Sequence, residues 1–411
     1  MREENEASRG AGAMSKWKIC RLAELVDGGH AELQTGPFGT MLNASEYTAS
    51  GTPVIAVQDI GENKIIHDKL VYVSDTTANR LSKYRVKEGD IIFGRKGAVE
   101  RRARIRTDED GWLQGSDCIR LRFNETVNPI FISYQFGSKF YREWMIQNST
   151  GATMPSLNQE VLRLLPIMLP PFHEQKAIAS VLSSLDDKID LLHRQNATLE
   201  AMAEALFRQR FVVEAKEEWE EKPLLHHIQL VGGGTPKTSI QEYWNGSIPW
   251  LAGGDIAKNH KTFALASEKS ITEEGVAYSS AKILPQYTTV LTARGTVGKF
   301  CLLGKPMAYS QTNYGILPKN SETFFFTFLL IDHIVKELQA AAYGSVFDTI
   351  TTQTFEETSI ALPKADMIKS FNLQVRAYFE KIFANQTQIR TLEKLRDSLL
   401  PKLMTGEVRV S

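Results

Sequence analysis

The stretch Leu169–Phe211 reads LPPFHEQKAIASVLSSLDDKIDLLHRQNATLEAMAEALFRQRF. After Pro171 it contains neither proline nor glycine, the two residues that most often end a helix. One set of its residues recurs in alternating steps of four and three, which is typical of a coiled-coil seam. The seam residues are Ile178, Leu182, Leu185, Ile189, Leu192, Asn196, Leu199, Ala203 and Leu206. A helix of this length spans about 60 Å, and its exposed seam requires a partner helix.

A second stretch near the C-terminus reproduces the same steps, with every residue 193 positions after its counterpart. Its seam residues are Phe371, Val375, Tyr378, Ile382, Asn385, Ile389, Leu392, Arg396 and Leu399. Agreement over so many positions indicates an internal repeat. The sequence therefore predicts that the two long helices pair with each other.

The repeat extends upstream of both helices. The segment GTPVI at 51–55 corresponds to SIPWL at 247–251, and KGAV at 96–99 corresponds to RGTV at 294–297. Trp17 corresponds to Trp219, and GATMPSL from Gly151 corresponds to GSVFDTI from Gly344. The chain is thus module, helix, module, helix. The predicted boundaries are a first module at 15–168, a long helix at 169–212, a linker at 213–218, a second module at 219–362 and a second long helix at 363–408.

Each module mixes short β-rich runs with turns and then a helical segment. In the first module we predict strands at 52–57, 65–73, 90–93 and 118–123, and a helix at 129–147. In the second we predict short strands and a helix at 323–342. Strands and helices do not alternate regularly, so the predicted fold class is α+β, with two tandem globular domains joined by two antiparallel coiled-coil helices in pseudo-twofold symmetry.

Length and composition place the chain among soluble proteins of two or three domains. It has 411 residues, of which 42% are hydrophobic and 23% charged. No apolar run reaches the roughly 18 residues of a membrane span. The first 14 residues carry acids and lack an apolar core, so we expect a disordered tail, or extra sequence ahead of a start at Met14, rather than a secretory signal. Three widely separated cysteines fit a reducing cytoplasm and form no metal-binding spacing.

Basic residues cluster at corresponding places in the two modules although the formal net charge is zero. Residues 90–106 hold six basic residues against two acids, and residues 289–305 hold three basic residues and no acid. A solvated loop and a contact with DNA explain either cluster alone about equally well. Their presence in both copies favours contact with DNA.

Over essentially all residues after Met14, the chain resembles the specificity subunit of a type I restriction–modification enzyme. The first copy carries the resemblance in Leu169–Pro171 (LPP), Glu174–Gln175 (EQ), Leu185–Asp186 (LD) and Asn196. In the second copy it lies in GGTP from Gly233, YW from Tyr243, IPW from Ile248 and RGTVG from Arg294. Two departures stand out: LPKAD from Leu362 lacks the PP and EQ of the first copy, and RKGAVE from Arg95 lacks the final glycine of the second.

The resemblance implies two target-recognition domains, each reading one half of a bipartite site on double-stranded DNA. It also implies that the helices dock two methyltransferase subunits, with restriction/translocase subunits joining through the complex. Glu174 and Gln175 would belong to the docking surface. S-adenosylmethionine, ATP and magnesium are implied for the partner subunits, and no cofactor for this chain.

Catalytic patterns are weak. GGGTPKT from Gly232 has proline where a phosphate-binding loop needs its second glycine. Asp90 followed by Glu100 faintly resembles a metal-dependent nuclease, but the second copy has threonine and glycine near those places. The histidines show no zinc-ligand spacing, and no adenine-methyltransferase motif is present. The favoured function is therefore a non-catalytic DNA-reading subunit. The alternative is a stand-alone nuclease or modification enzyme with tandem DNA-binding domains.

We predict that basic and polar side chains of both modules contact DNA, with phosphate contacts giving affinity and base contacts giving specificity. The candidates are Lys96, Arg101, Arg102 and Arg104 on one half-site, and Thr235, Lys237, Arg294 and Lys299 on the other. Arg294 is the strongest single candidate because its glycine-rich turn lets the backbone approach DNA. We further expect unlike half-sites with centres about 34–36 Å apart.

The two seam asparagines predict how the helices pair. Asn196 corresponds in the repeat to Ile389, and Asn385 corresponds to Leu192. Parallel, in-register pairing would therefore bury both amides against apolar side chains. Antiparallel pairing sets Asn196 against Asn385 instead. The same register sets Leu192 against Ile389, Ile189 against Leu392, Leu199 against Ile382 and Ala203 against Tyr378, with Leu185 also in the seam. The alternative is two solvated amides at splayed positions.

Overall fold

The computed structural model describes residues 17–151, 155–320, 322–343 and 349–410. The chain divides into two compact units, residues 1–188 with 392–411 and residues 189–391. Unit 1 and unit 2 denote these two sets below. The tail expected at 1–14 and much of the GATMPSL and GSVFDTI segments lie outside the described residues.

Unit 1 is built from short strands and short helices. Its strands are β1 (Lys18–Arg21), β2 (Ala31–Thr35), β3 (Tyr47–Thr48), β4 (Thr52–Ile55), β5 (Val71–Val73), β6 (Ile91–Gly94), β7 (Arg102–Arg104), β8 (Leu113–Gln114), β9 (Cys118–Phe123) and β10 (Pro166–Leu169). Its short helices are α1 (Leu22–Asp27), α2 (Asp75–Arg80), α3 (Pro129–Gly137), α4 (Lys139–Asn148) and α5 (Gln159–Arg163).

The strands of unit 1 form three sheets. Two of them have four strands each, in the orders β2-β9-β6-β7 and β3-β5-β4-β8. All neighbouring strands in these two sheets are antiparallel except β4 and β8, which are parallel. β1 pairs antiparallel with β10, so the two ends of the first module meet just before the long helix begins. Every residue of β6 is buried, as expected for a strand covered on both faces.

The first long helix, α6 (Phe172–Arg208), begins directly after Pro170 and Pro171 and ends in a π-helical turn at Gln209–Val213. The backbone N–H groups of Glu174 and Gln175 both donate to the carbonyl of Pro171, at 2.9 and 3.0 Å. A prolyl pair at the start suits a helix because the first N–H groups have no intrahelical acceptor. The start of α6 shares a hydrophobic core with unit 1 through Ile178 and Leu182.

Unit 2 repeats this plan. Its strands are β11 (Glu221–Pro223), β12 (Ile228–Gly232), β13 (Trp244–Leu251), β14 (Phe263–Ala264), β15 (Lys269–Ile271), β16 (Thr289–Thr292), β17 (Phe300–Leu303), β18 (Ala308–Tyr309), β19 (Asn313–Pro318) and β20 (Ser359–Ala361). Its helices apart from the two long ones are α7 (Gly253–Lys258), α8 (Glu273–Ala277), α9 (Phe324–Tyr343) and α10 (Thr352–Glu357).

The sheets of unit 2 match those of unit 1 in order. A five-stranded sheet runs β12-β19-β16-β17-β14, a three-stranded sheet runs β15-β13-β18, and β11 pairs with β20. The second long helix, α11 (Ala365–Met404), follows β20 as α6 follows β10. The repeat detected in the sequence is therefore a repeat of structure, and the predicted α+β class with two tandem modules is confirmed.

Within each unit the two long helices run antiparallel. In unit 2, Ala203 and Phe207 near the end of α6 share a core with Phe371 and Val375 near the start of α11. In unit 1, Leu182 near the start of α6 shares a core with Leu403 near the end of α11. Among the predicted pairing residues, Ile189, Leu192, Asn196, Ile382, Asn385 and Ile389 are buried, and Leu185, Leu199, Tyr378 and Leu392 are half-buried.

The two seam asparagines of unit 2 are in contact. Nδ2 of Asn385 donates to Oδ1 of Asn196 at 2.9 Å, and the two residues are 1% and 5% exposed. Each amide thus has a polar partner in an otherwise apolar seam, as the antiparallel register predicts. Such a pair selects register at some cost in stability.

Two element predictions for unit 1 are corrected. The helix expected at 129–147 is broken into α3 and α4, because Ser138 is extended (φ −68°, ψ 156°). At the break, a Cβ on Gly137 would lie 2.1 Å from Nη2 of Arg102, so the buried guanidinium leaves no space for a side chain at this position. The strand expected at 65–73 is confined to β5, and the segment before it joins only an isolated bridge between Ile60 and Ile65.

Candidate nucleic-acid interface

Three turns of unit 1 meet at one end of its β2-β9-β6-β7 sheet. The backbone N–H of Gly36, just after β2, donates to the carbonyl of Cys118 at 3.0 Å. A Cβ on Gly36 would lie 1.9 Å from the carbonyl oxygen of Gly115, so only glycine allows this approach. The N–H of Arg95, just after β6, donates to the carbonyl of Asp117 at 2.8 Å. The turns at 36–38, 95–97 and 115–117 therefore form one surface, here called turn cluster 1.

Turn cluster 1 carries exposed cations and an exposed aromatic ring. Lys96 is exposed and its Nζ lies 3.7 Å from Oδ1 of Asp117; Arg101, a few residues later, is also exposed. The guanidinium of Arg95 lies over the Phe38 ring at 5.1 Å, and Phe38 is 55% exposed. Sequence reasoning missed Arg95 and Phe38. The signal available for Phe38 was an aromatic residue in a Gly-Pro turn that matches the GGTP turn of the second copy.

Arg102 is placed in the interior, which corrects its assignment as a DNA contact. It lies in β7 with 4% of its surface exposed, and its Nε donates to the carbonyl of Ser133 at 2.7 Å. Burial, and then the charge of Arg142, lower the pKa of Arg102 to about 10. Arg104, two positions along the strand, is half-buried, and burial and then Arg106 lower its pKa. Of the four candidates in this module, Lys96 and Arg101 are the freely accessible ones.

Unit 2 contains the corresponding turn cluster 2. The N–H of Gly234, just after β12, donates to the carbonyl of Tyr309 at 3.0 Å, and that of Gly233 donates to the carbonyl of Asn313 at 3.3 Å. The N–H of Ala293, just after β16, donates to the carbonyl of Thr312 at 3.0 Å. The turns that carry Thr235 and Arg294 are thereby joined through one segment, 309–313. Thr235 is half-buried and Arg294 is exposed.

Arg294 is carried by a turn that glycine makes possible. Gly295 and Gly298 have φ of 78° and 82°, in the left-handed region that disfavours other residues. Thr292 anchors the turn, since its Oγ1 accepts a hydrogen bond from the N–H of Lys299 at 3.0 Å. The anchored turn holds Arg294 at the surface.

An aromatic surface lies beside Lys237, one of the predicted DNA contacts. Nε1 of Trp244 donates to the carbonyl of Lys237 at 3.2 Å, and Nζ of Lys269 lies 6.0 Å from the Trp244 ring. The rings of Tyr243 and Tyr278 stack with centroids 6.2 Å apart, and Tyr278 is 73% exposed. Sequence reasoning missed Lys269 and Tyr278, because β15 brings Lys269 to Trp244 and α8 brings Tyr278 to Tyr243 from later parts of the chain.

Lys299 lies in a different concavity from Arg294. It is half-buried and lines a cavity of about 650 Å³, which is also lined by Arg208, Lys261 and Lys336. Arg294 is not among the residues that line it. The structure therefore brings Thr235 and Arg294 together and places Lys299 apart from them.

The predicted docking pair has unequal positions. Gln175 is 3% exposed; its Oε1 accepts from the N–H of Asn128 and its Nε2 donates to the carbonyl of Pro170, both at 2.9 Å. This side chain ties α3 to the start of α6, so its assignment as a direct docking contact is corrected to a positioning role. Glu174 is half-buried and accepts from Nε1 of Trp17 at 3.3 Å.

No group of three or more metal-ligating side chains occurs in the described ranges. Asp90, the carboxylate of the weak nuclease pattern, is 1% exposed and accepts two hydrogen bonds from Arg122, at 2.7 and 2.6 Å. It is therefore occupied by a guanidinium. All three cysteines are free and buried; burial is the main cause that raises their thiol pKa values, that of Cys118 to about 12. No helix in the part of the chain described here is long and apolar enough to cross a membrane.

Known proteins resemble the chain along almost its whole length. It is 25% identical over 394 residues to the putative type I restriction enzyme MjaX specificity subunit of Methanocaldococcus jannaschii, with 88% of each chain covered. It is 24% identical to the type I restriction enzyme HindI specificity subunit of Haemophilus influenzae, with 85% of this chain and 93% of that subunit covered. In fold it is similar to the crystal structure of the type I restriction–modification S subunit from M. genitalium, with TM-score 0.66, 16% identity, and 96% and 97% of the two chains covered.

The family model described as the type I restriction modification DNA specificity domain matches residues 14–201 and, a second time, residues 216–392. These two matches contain turn cluster 1 and turn cluster 2, respectively. Because the two matches together cover most of the sequence, the chain belongs to the type I restriction modification DNA specificity family and carries two copies of its domain.

Proposed function

We propose that the chain is the non-catalytic DNA-recognition subunit of a type I restriction–modification complex, and that each module reads one half of a bipartite, asymmetric site. The observation that carries this proposal is the recurrence of the turn cluster at the same end of the main sheet in both units. Each copy presents an exposed cation, Lys96 in one and Arg294 in the other. Exposed cations give the phosphate contacts on which affinity depends.

The differences between the two clusters support unlike half-sites. Turn cluster 1 presents Phe38 under the guanidinium of Arg95, whereas the corresponding turn of cluster 2 presents Thr235 and Lys237. Arginine pairs well with guanine in the major groove, while aromatic and aliphatic groups contact the thymine methyl group. Two surfaces with different donors and apolar groups select different base sequences.

The partners follow from the family. We propose that the helices dock two methyltransferase subunits and that restriction/translocase subunits join through the complex, in the cytoplasm. S-adenosylmethionine, ATP and magnesium would then act in those subunits. With Gln175 buried, its contribution to docking is to hold the start of α6 against Asn128, and Glu174 remains the accessible member of the pair.

The proposal is tested by mapping methylated sites in DNA from cells that express the chain with its methyltransferase subunit. The wild-type map should show one asymmetric, interrupted motif. Arg294→Ala should relax one position in one half of that motif, at a cost of about 1–3 kcal/mol in binding if Arg294 reads a guanine. Lys96→Ala with Arg101→Ala should weaken binding to the other half.

Lys139→Ala is the control, because Lys139 is exposed on α4 and pairs with Glu143 within the same helix. Its methylation map should equal that of the wild type. A palindromic or continuous motif would refute the bipartite reading. An unchanged map in Arg294→Ala would remove Arg294 from the recognition surface.

Catalysis by the isolated chain is tested separately. Purified chain incubated with duplex DNA, magnesium and S-adenosylmethionine should neither cleave nor methylate the DNA. Activity under these conditions, without added subunits, would favour a stand-alone nuclease or modification enzyme and overturn the proposal.

A further inference from the structure

Polar contacts join the first long helix to the second in each unit. In unit 2 the amides of Asn196 and Asn385 are hydrogen-bonded and buried. In unit 1, Nη1 of Arg396 donates to Oδ1 of Asp186 at 2.8 Å, and the hydroxyl of Tyr134 donates to Oδ2 of the same carboxylate at 2.5 Å. Both contacts couple a residue of α6 to a residue of α11.

None of the four helix residues has a like residue at its repeat position. At the spacing of 193, Asn196 corresponds to Ile389 and Asn385 to Leu192. Asp186 corresponds to Phe379, and Arg396 corresponds to Ala203. The two helices therefore share their apolar seam but differ at these four positions. Gln195, which accepts a longer hydrogen bond of 3.4 Å from Nδ2 of Asn385, has a like residue, Gln388, at its repeat position.

This difference matters because a repeat offers each helix two possible partners. If α6 paired with α6 of a second copy in the same antiparallel register, Leu192 would take the place of Asn385, and Ala203 the place of Arg396. Asn196 would then face a leucine, and Asp186 would lose its cation. A buried amide without a partner and a half-buried carboxylate without its cation are both unfavourable.

The complementary mismatch would arise between two copies of α11. Asn385 would face Ile389, and Arg396 would approach Phe379 in place of Asp186. In unit 2 the ring of Phe379 stacks on that of Phe325, with centroids 4.8 Å apart and planes 5° apart, and lies 5.5 Å from that of Phe328. An aromatic cluster supplies no carboxylate for the arginine.

We propose that the polar residues of the seam act as a pairing code, which makes α6 accept α11 and reject a second copy of itself. Fixing the register alone would not require Asn196 and Asn385 to be offset in the repeat. Amides at both 192 and 196, and at the corresponding positions of α11, would fix the same register in like and unlike pairs. The offset satisfies the amides only in the unlike pair. The interaction surface of each long helix is thus matched to the other half of the same chain, and the protein does not self-associate through its seam.

The test uses two full-length variants that share the same altered α6. The first combines Leu192→Asn with Asn385→Leu, so that α6 carries two amides and α11 none. Those amides pair only with the α6 of a second copy. The second variant, the matched control, combines Leu192→Asn with Ile389→Asn, so that both amides of α6 face amides of α11 in the same chain.

Sedimentation equilibrium over a hundredfold range of concentration gives the result. Wild type and control should keep the mass of one chain, 46.1 kDa, while the first variant should shift towards the mass of two chains. Its thermal midpoint should also rise with concentration, whereas that of the control should not. A wild type that dimerises through the seam, or two variants with equal mass and equal midpoints, would overturn the proposal.

If the first variant does not fold, a second pair of variants decides. Asn196→Leu should lower the thermal midpoint by setting a leucine against Asn385 and leaving it only the longer bond to Gln195, and adding Asn385→Leu should restore part of the loss. Recovery shows that each amide is tolerated only opposite the other, which is the basis of the code. A double variant no more stable than Asn196→Leu would show that the mismatch carries no penalty and would overturn the proposal.

Discussion

The guanidinium of Arg122 donates two hydrogen bonds to the buried carboxylate of Asp90, Nε to Oδ1 at 2.7 Å and Nη2 to Oδ2 at 2.6 Å. The same carboxylate also accepts from the backbone N–H of Lys87 at 2.7 Å. The bond to Asp90 raises the pKa of Arg122 further. The ion pair links the turn that precedes β6 to strand β9. β6 in turn leads directly into turn cluster 1.

Asp90→Ala should therefore destabilise the protein strongly. Removing one member of a buried ion pair leaves the other charge uncompensated and typically costs about 3–5 kcal/mol. Asp27→Ala is the control, because the ion pair of Asp27 with Arg163 is largely exposed and such pairs contribute about 0–1 kcal/mol. Urea denaturation followed by circular dichroism measures both. Equal midpoints for the two variants would contradict this account.

Arg102 and Lys96 should separate stability from DNA affinity. Arg102→Met keeps the apolar stem but leaves the carbonyl of Ser133 without its donor, so the free energy of unfolding should fall by about 1–3 kcal/mol with no change in DNA affinity. Lys96→Ala should leave the free energy of unfolding unchanged and lower the DNA affinity. Because a phosphate contact adds about one unit to the slope of log affinity against log salt, that slope should fall by about one. Fluorescence anisotropy with labelled duplex at several salt concentrations measures that slope. Loss of DNA affinity in folded Arg102→Met would show that Arg102 contributes to DNA binding.

Adjacent glycines of turn cluster 2 should respond differently to substitution. A Cβ on Gly233 would lie 2.2 Å from the carbonyl oxygen of Ser310, whereas one on Gly232 would meet no atom within 4 Å. Gly233→Ala should therefore displace the turn and cost about 1–3 kcal/mol in stability, as overpacking does, together with a loss of DNA affinity. Gly232→Ala should stay within about 0.5 kcal/mol of the wild type. Thermal unfolding and duplex binding of the two variants provide the comparison, and similar behaviour would argue against a tight turn.

Glu200 should make stability depend on pH. Burial, and then the negative charge of Glu204, raise the pKa of Glu200 to about 7, against the lowering effect of Lys261. A carboxyl whose pKa is raised in the folded state stabilises that state below its unfolded pKa of about 4.3, and this stability is lost as pH rises through about 7. Glu200→Gln should therefore match the wild type near pH 4 and exceed it in stability at pH 8.

The control for Glu200→Gln is Ala201→Gln, which adds an amide at an exposed neighbouring position. Its stability difference from the wild type should not vary with pH. Thermal midpoints of the wild type and both variants at pH 4, 6 and 8 measure these differences. A Glu200→Gln variant whose advantage over the wild type is the same at all three values would remove Glu200 as the cause.

The sequence predicts the parts of this molecule that depend on periodicity. The seam spacing indicates α6 and α11 because it is a regular step along each helix. The offset of Asn196 and Asn385 indicates their direction because the two seams can be compared position by position. The same holds for the module repeat, which the order of the sheets reproduces in each unit.

The sequence does not show which polar side chains are buried or which aromatic surfaces form, because these features depend on partner residues far along the chain. Arg102 is indistinguishable in sequence from its exposed neighbour Arg101, and the carbonyl that accepts from its buried guanidinium belongs to Ser133, 31 residues away. Gln175 likewise looks like a surface residue of a helix start until Asn128 is placed beside it, 47 residues away. The pairing of β13 with β15 brings Lys269 to Trp244, and the position of α8 brings Tyr278 to Tyr243; no local pattern specifies either contact.

The burial of the three cysteines has a practical consequence for watching this protein at work. Maleimide dyes react with thiolates, and burial keeps Cys20, Cys118 and Cys301 both protonated and shielded. A cysteine introduced at an exposed position such as Leu373 on α11 would then be the site that reacts in the folded chain. Fluorophores can thus be attached one at a time to follow DNA capture by single molecules, with every native thiol left in place.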